Sequence, residues 1–295
     1  MKLGLGTAQF GANYGISNEM GQTKPDEVSK ILSRACSAGI QVLDTAALYG
    51  DSEHVLGKEL KNEYNNQFSI ITKTVNLDRD KTIEEASEIV VDAFNSSLKK
   101  LNQKTIYGLL VHNAQDLLQA GGEIFYSKLK NLKEQGLVKK IGVSVYSPEE
   151  VSQILKRYQI DLVQGPLNVL DQRMMSSGML AELSSRKIEF HARSIFLQGL
   201  LLMDPITINK YFSDIRGTIK KFQNRAQQHG LTALEAALSF VLGIREVGVA
   251  ICGVNSLTQL EEIIAAEKKV TEFRDFSEYA VNDLNIIDPS RWQLA

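Results

Sequence analysis

The chain has 295 residues, 43% of them hydrophobic, with a formal net charge of -2 and an isoelectric point near 6.2. That length suits a single α/β domain over 1–295, and the charge balance offers no basic excess for nucleic acid or an anionic membrane surface. Cys36 and Cys252 lack disulfide or metal spacing and no long apolar run occurs, so the expectation is a cytoplasmic protein, monomer or weak homo-oligomer, binding small molecules and no metal.

The first strand, predicted over 3–6, leads into GLGTAQFGANYG. No GxGxxG opens a helix there at the distance a dinucleotide-binding βαβ unit needs. After a helix over 26–38, strand two at 41–44 ends in Asp44. Five residues later the loop ALYGDSE carries Tyr49 into a helix over 52–60. Strand three, 69–73, ends in Lys73. The helix over 83–101 shows the period plainly, with Ile83, Ala86, Val90, Ala93, Phe94, Leu98 and Leu101 at three- and four-residue spacing. Strand four, 106–112, ends in His112. Helices over 124–134, 148–157 and 177–185 then alternate with strands over 140–144, 162–165 and 189–194. Two helices, 216–228 and 233–242, precede the last strand, 249–253, and a helix over 257–266 follows it. Eight strands alternating with helices predict a (β/α)8 TIM barrel rather than an open sheet. The irregular stretch around 202–214 and the tail from 271 read as candidate lids.

In such barrels reactive groups sit where strands end. Taken singly, Asp44 reads as a turn cap, Lys73 as a solvated charge, His112 as a satisfied core residue and Tyr49 as packing. Four of them converging on one mouth read differently. A phenol with an ordinary pKa near 10 is a poor proton donor. An adjacent ammonium favours the phenolate, Asp44 would hold that ammonium charged, and His112 can hydrogen-bond a carbonyl oxygen on which alkoxide charge develops. That is the equipment of carbonyl reduction, lacking only a hydride.

Asp44, Tyr49, Lys73 and His112, in the contexts DTAALYGDSE, TK and VHN, resemble the catalytic tetrad of the aldo-keto reductase family. The resemblance extends through GLGTAQFG, GVSVYSPEE, VQGPLNVLDQR, RSIFLQGLL and ICGVNSLTQLEE, nearly the whole chain. It implies NADPH, with NADH possible, lying extended across the barrel mouth and reducing an aldehyde or ketone. By the same resemblance Gly6, Thr7, Asp44, Ser144 and Gln164 would border the nicotinamide end. Arg193 and Ser194 would also touch the cofactor, Phe196, Gln198, Gly199 and Leu201 would lie along the pyrophosphate, and Gly253, Asn255, Ser256, Gln259 and Glu262 near the adenosine. Backbone N–H groups at the start of the last helix suit an anion, although Asn255 or Ser256 can also cap that helix. Tyr14, Tyr49, His112 and Asn113 would face the substrate.

Three residues depart from the family pattern. Val145 replaces an asparagine that contacts the carboxamide. Arg193 stands where an aromatic ring often stacks on the nicotinamide; a guanidinium there can stack, reach a phosphate or clamp a substrate anion. Gln259 replaces an arginine for the 2'-phosphate. His191 either touches ligand or is a hydrogen-bonded core residue, and Trp292 either walls the pocket or, preferably, anchors the tail. Polar residues near the mouth, Asn13, Asn113, Asn168 and Arg193, suggest a sugar or sugar derivative as substrate. Two other functions are alternatives: a cofactor-sensing barrel with slow turnover, and a lyase or isomerase using Lys73 as a Schiff-base nucleophile.

Overall fold

Because side chains alternate along a strand, each barrel strand sends every second residue to the axis and the rest outward beneath the helices. The computed structural model describes residues 2–62, 64, 67–269 and 275–294. Its strands are β1 (Leu3–Gly6), β2 (Val42–Asp44), β3 (Ser69–Lys73), β4 (Ile106–Val111), β5 (Val138–Ser144), β6 (Leu162–Pro166), β7 (Glu189–Arg193) and β8 (Val249–Gly253). All pair in parallel in chain order, and β8 closes on β1 through the register Leu5 to Cys252. The predicted (β/α)8 barrel is therefore the fold.

The outer ring consists of α1 (Pro25–Ser37), α2 (Ser52–Asn62), α3 (Ile83–Lys100), α4 (Gly122–Glu134), α5 (Pro148–Arg157), α6 (Met179–Ser185), α7 (Arg216–Gln228), α8 (Ala233–Gly243) and α9 (Leu257–Glu267). Their starts carry local signals. Thr82 and Thr232 each form a capping box with a glutamate three residues on, while Ser147 and Ser256 cap α5 and α9. Outward-facing Leu5, Leu43, Ile70, Leu109, Val143, Val163 and Phe190 pack beneath these helices in the large core. On the axis Ile71, Leu110 and Leu162 form a small separate core, with Val42 and Tyr107 against it. Each such fully buried aliphatic side chain stabilises the fold by roughly 1.5–3 kcal/mol.

Boundaries moved by one or two residues at several strand ends; β4 stops at Val111 and β7 at Arg193. Single helical turns at Ala8–Gly11, Gln115–Leu118, Arg173–Ser176 and Leu284–Ile287 were not expected, because four residues are too few to show a period. The stretch predicted as an irregular loop contains 3-10 turns at Leu200–Leu202 and Lys210–Ile215. Of the tail predicted from 271 onward, 271–274 and 295 lie outside the described residues. In its described part Trp292 donates its indole N–H to the Ile286 carbonyl and meets Phe212 edge to face, so it anchors the tail. No helix among the described residues is long and apolar enough to cross a membrane.

Candidate active site

Two residues above the inner apolar core, the same alternation puts polar groups on the axis. Asp44 follows Val42, Lys73 follows Ile71 and Gln164 follows Leu162; His112, one residue past β4, follows Leu110. Lys73 is 1% exposed. Its Nζ donates to Asp44 Oδ2 at 2.7 Å, to the Thr45 carbonyl at 3.0 Å and to the Tyr49 hydroxyl oxygen at 3.3 Å. Burial pulls the ammonium down, but Asp44 and Tyr49 outweigh it and leave Lys73 above the usual lysine range. The other carboxylate oxygen, Asp44 Oδ1, accepts from Gln164 Nε2 at 2.7 Å. Both Asp44 oxygens are therefore engaged, and neither takes the Tyr49 proton.

Tyr49 is placed by backbone. The chain from Thr45 to Asp51 turns back through a hydrogen bond from Tyr49 N to the Ala46 carbonyl. It then presses on the turn after β1, where Asp51 N donates to the Gly11 carbonyl. A Cβ on Gly11 would sit 1.8 Å from the Tyr49 carbonyl oxygen, and one on Gly50, whose φ is +54°, would sit 2.3 Å from the Gly11 oxygen. Only glycines fit this crossing. Beneath it three buried hydroxyls join, Thr7 to Ser52 at 2.9 Å and Thr45 to Ser52 at 3.0 Å, tying β1, β2 and α2 together.

His112 meets the Tyr49 ring edge-on, with centroids 5.8 Å apart. Burial, then the Lys73 charge, with Arg193 adding and Asp44 opposing, pushes its imidazole down to about 4. It is neutral at physiological pH, and its Nδ1 is buried with no partner.

These groups open into a cleft of about 550 Å³ at the C-terminal mouth. Of the residues expected there, Gly6, Thr7, Tyr14, Asp44, Tyr49, His112, Ser144 and Gln164 line it at one end; Arg193, Ser194, Phe196, Gln198 and Gly199 line the β7 side. Gly253, Asn255, Gln259 and Glu262 line the β8 side. Lys73 lies behind Asp44 and Tyr49. The Thr7 hydroxyl is directed into the buried knot rather than the cleft.

Five residues expected at the mouth do not reach the cleft. Leu201 is fully buried in the core, its carbonyl accepting from Gln223, because positive φ at Leu197, Gln198 and Gly199 turns the chain there. Ser256 caps α9, accepting from Gln259 N at 3.2 Å. Asn113 accepts from Gln115 N in a turn, and fully buried Asn168 holds its own loop, accepting from Leu170 N and Asp171 N. Exposed Asn13 bonds Asn18. Of the four polar residues that suggested a sugar, Arg193 alone faces the cleft.

Sequence reasoning missed Gln9, Ser17, Asn18 and Tyr146, which also line it. They belong to loops and to the turn after β1, where no periodicity marks an orientation. Arg193 NH2 donates to the Val145 carbonyl at 2.9 Å and NH1 to Ser194 Oγ at 3.3 Å, and its guanidinium lies 4.4 Å from the centre of the Tyr146 ring. Val145 itself is fully buried. His191 is 1% exposed and lies below the cleft, 3.6 Å from Glu189, a core residue.

Residues 2–287 match the profile of the Aldo/keto reductase family. The chain is 24% identical over 285 residues to the aldo-keto reductase YhdN of Bacillus subtilis, covering 89% of this chain and 83% of that protein. It is 24% identical to the L-galactose dehydrogenase of Arabidopsis thaliana, over 90% and 83% of the two chains. The holo form of aldo-keto reductase AKR11C1 from Bacillus halodurans superposes with a TM-score of 0.69 at 21% identity, covering 90% of this chain and 86% of that one.

Proposed function

The chain belongs to the aldo/keto reductase family of oxidoreductases, and on that premise we propose that it reduces an aldehyde or ketone to an alcohol with NADPH, Tyr49 being the proton donor. One observation carries the reading: Lys73 donates to the Tyr49 hydroxyl oxygen, at 3.3 Å, so the phenol proton is left for the cleft.

The residues present fit a nicotinamide. Gln164 Oε1 is buried at the foot of the cleft with no partner, and is of the right kind to accept from a carboxamide; Ser144 lies beside it in register. On the β8 side the exposed backbone of Gly253 and the N-terminus of α9 suit the adenosine phosphates. Ser256 and Gln259 already bond the backbone there, Gln259 Oε1 accepting from Asn255 N at 2.7 Å. Bound there, NADPH supplies the hydride. Tyr49 gives its proton to the carbonyl oxygen as that oxygen becomes an alcohol, Lys73 stabilises the phenolate left behind, and Asp44 keeps Lys73 charged and aimed. The neutral His112 imidazole has a donor to offer the same oxygen. A positioned general acid of this kind contributes on the order of 10²–10⁴-fold.

Gln9, Ser17 and Asn18 do not add to the sugar reading: Gln9 packs on Gly253, Ser17 donates to the Gln198 carbonyl at 3.2 Å, and the Asn18 amide holds its own turn, all on the side where the cofactor phosphates are proposed. The Schiff-base alternative loses support, since Lys73 is buried against Asp44 and held as the ammonium. Titration with NADPH by fluorescence, then absorbance loss on adding 4-nitrobenzaldehyde, tests the reading. Binding with turnover that disappears in Tyr49→Phe supports it; binding without turnover favours a sensing role, and no binding sinks both.

A further inference from the structure

Arg193 is the cation of the cleft that no acid answers. Among the described residues no carboxylate pairs with it: Asp44 is held by Lys73 and Gln164, and Glu262 sits on α9 at the β8 side. Its bonds to the Val145 carbonyl and Ser194 Oγ leave guanidinium N–H groups unused. A ligand that displaces water from the cleft would leave this charge poorly solvated unless it brings an anion of its own.

The tether decides which ligand that is. Arg193 begins at the end of β7, yet its guanidinium is bonded to Val145 at the end of β5 and lies on the Tyr146 ring. It leans across β6 toward β4 and His112, away from Gly253 and α9, where the proposed function puts the cofactor phosphates. Tyr14 and His112 both feel its charge. The Tyr146 face and two hydrogen bonds fix the plane of the fork, which is how an arginine is prepared for bidentate contact with a carboxylate or phosphate.

We propose that Arg193 receives an anionic group, carboxylate or phosphate, of the carbonyl substrate itself, so that the enzyme acts on an acidic or phosphorylated aldehyde or ketone. The inference rests on the reductase reading for the carbonyl and on the Arg193 geometry for the anion.

Two matched pairs separate the sources of the anion: 4-carboxybenzaldehyde against methyl 4-formylbenzoate, and D-glyceraldehyde 3-phosphate against D-glyceraldehyde. The expected result is a kcat/KM at least tenfold higher for the charged member of one pair, carried mainly by KM and shrinking with added salt. In Arg193→Met the ratio falls to about one, and Arg193→Lys restores part of it. Ratios near one for both pairs in the unmodified enzyme overturn the proposal, as does a ratio unchanged in Arg193→Met. A tenfold loss of NADPH affinity in Arg193→Met with the ratio intact would assign the guanidinium to the cofactor and overturn it too. Calorimetric titration with terephthalate and with inorganic phosphate, in the presence of NADP+, reads the anion site without turnover. Absence of turnover with every aldehyde would therefore sink the reductase reading, while Arg193-dependent anion binding would still uphold the site and its absence would overturn it.

Discussion

At the mouth of the barrel Asp44, Lys73, Tyr49 and His112 stand together; at its floor Glu189, Lys140, Tyr107 and His191 repeat the same four kinds of side chain. The direction of the hydrogen bonds separates them. At the floor the Tyr107 hydroxyl donates to Glu189 at 2.8 Å, Lys140 pairs with the same carboxylate, and both Lys139 and Lys140 lie over the Tyr107 ring. Burial raises the Tyr107 phenol and Glu189 adds to this against Lys140, so its proton is held. At the mouth the carboxylate is occupied by Lys73 and Gln164, and the lysine, not the carboxylate, meets the tyrosine. One arrangement consumes the phenol proton internally and braces the strand starts; the other leaves it free and faces a cleft. The residue types do not make a site, since the same set is inert when its donors are satisfied among themselves.

Paired substitutions probe that contrast, beginning with the largest effect. Tyr49→Phe should lower the rate of NADPH-dependent aldehyde reduction on the order of 10³-fold, whereas Tyr107→Phe should change it less than about threefold. Comparable losses in steady-state assays would break the distinction. Lys73→Met leaves Asp44 buried and unpaired and should cost about 3–5 kcal/mol in urea unfolding, against less than about 1 kcal/mol for the more exposed Lys140→Met.

Glu189 sharpens the comparison through pH. Burial opposes its charge, but bonds from His191, Lys140 and Tyr107 hold it at about 2, below the ordinary 4.5. The unfolded chain therefore binds the proton first on acidification. The stability this group contributes is present above pH 4.5 and is lost as pH falls toward 2. Glu189→Gln should cost about 1–2 kcal/mol at pH 7, with the Tm gap closing by pH 2–3. The smallest effect is spectroscopic: the His112 ring resonances should titrate near pH 4 rather than 6.5. Because the unfolded imidazole takes its proton at the higher pH, this residue favours the fold above 6.5 and opposes it as pH drops to 4. A midpoint above 6 would mean that burial and Lys73 do not hold the imidazole neutral.

The eight strands were legible as short apolar runs, and Asp44, Lys73 and His112 as the polar residues that end three of them, because the two-residue alternation survives in the barrel. Tyr49, in the loop after Asp44, is identified by its resemblance to the family motif. Leu201 was not legible: the run after Arg193 contains left-handed residues, and counting along it loses meaning. Asn113 and Asn168 looked like substrate contacts but organise their own turns, a competition that asparagine side chains enter readily. Tyr146 and Gln9 gave no signal, since their placement depends on which loops meet over the mouth. The floor cluster stayed invisible for a related reason: Tyr107, Lys140 and Glu189 are brought together by barrel closure across three strands.

The crossing of Gly11 with Gly50 has a consequence for how such an enzyme can change. Tyr49, the proposed proton donor, is located by two residues with no side chains, pressed backbone to backbone, and by a knot of hydroxyls beneath them. None of the side chains at the cleft rim, such as Asn18, Tyr146 or Arg193, takes part in that crossing. Rim residues can therefore be exchanged without moving Tyr49. Alanine at either glycine would do the reverse, leaving the rim side chains in place while displacing the Tyr49 hydroxyl.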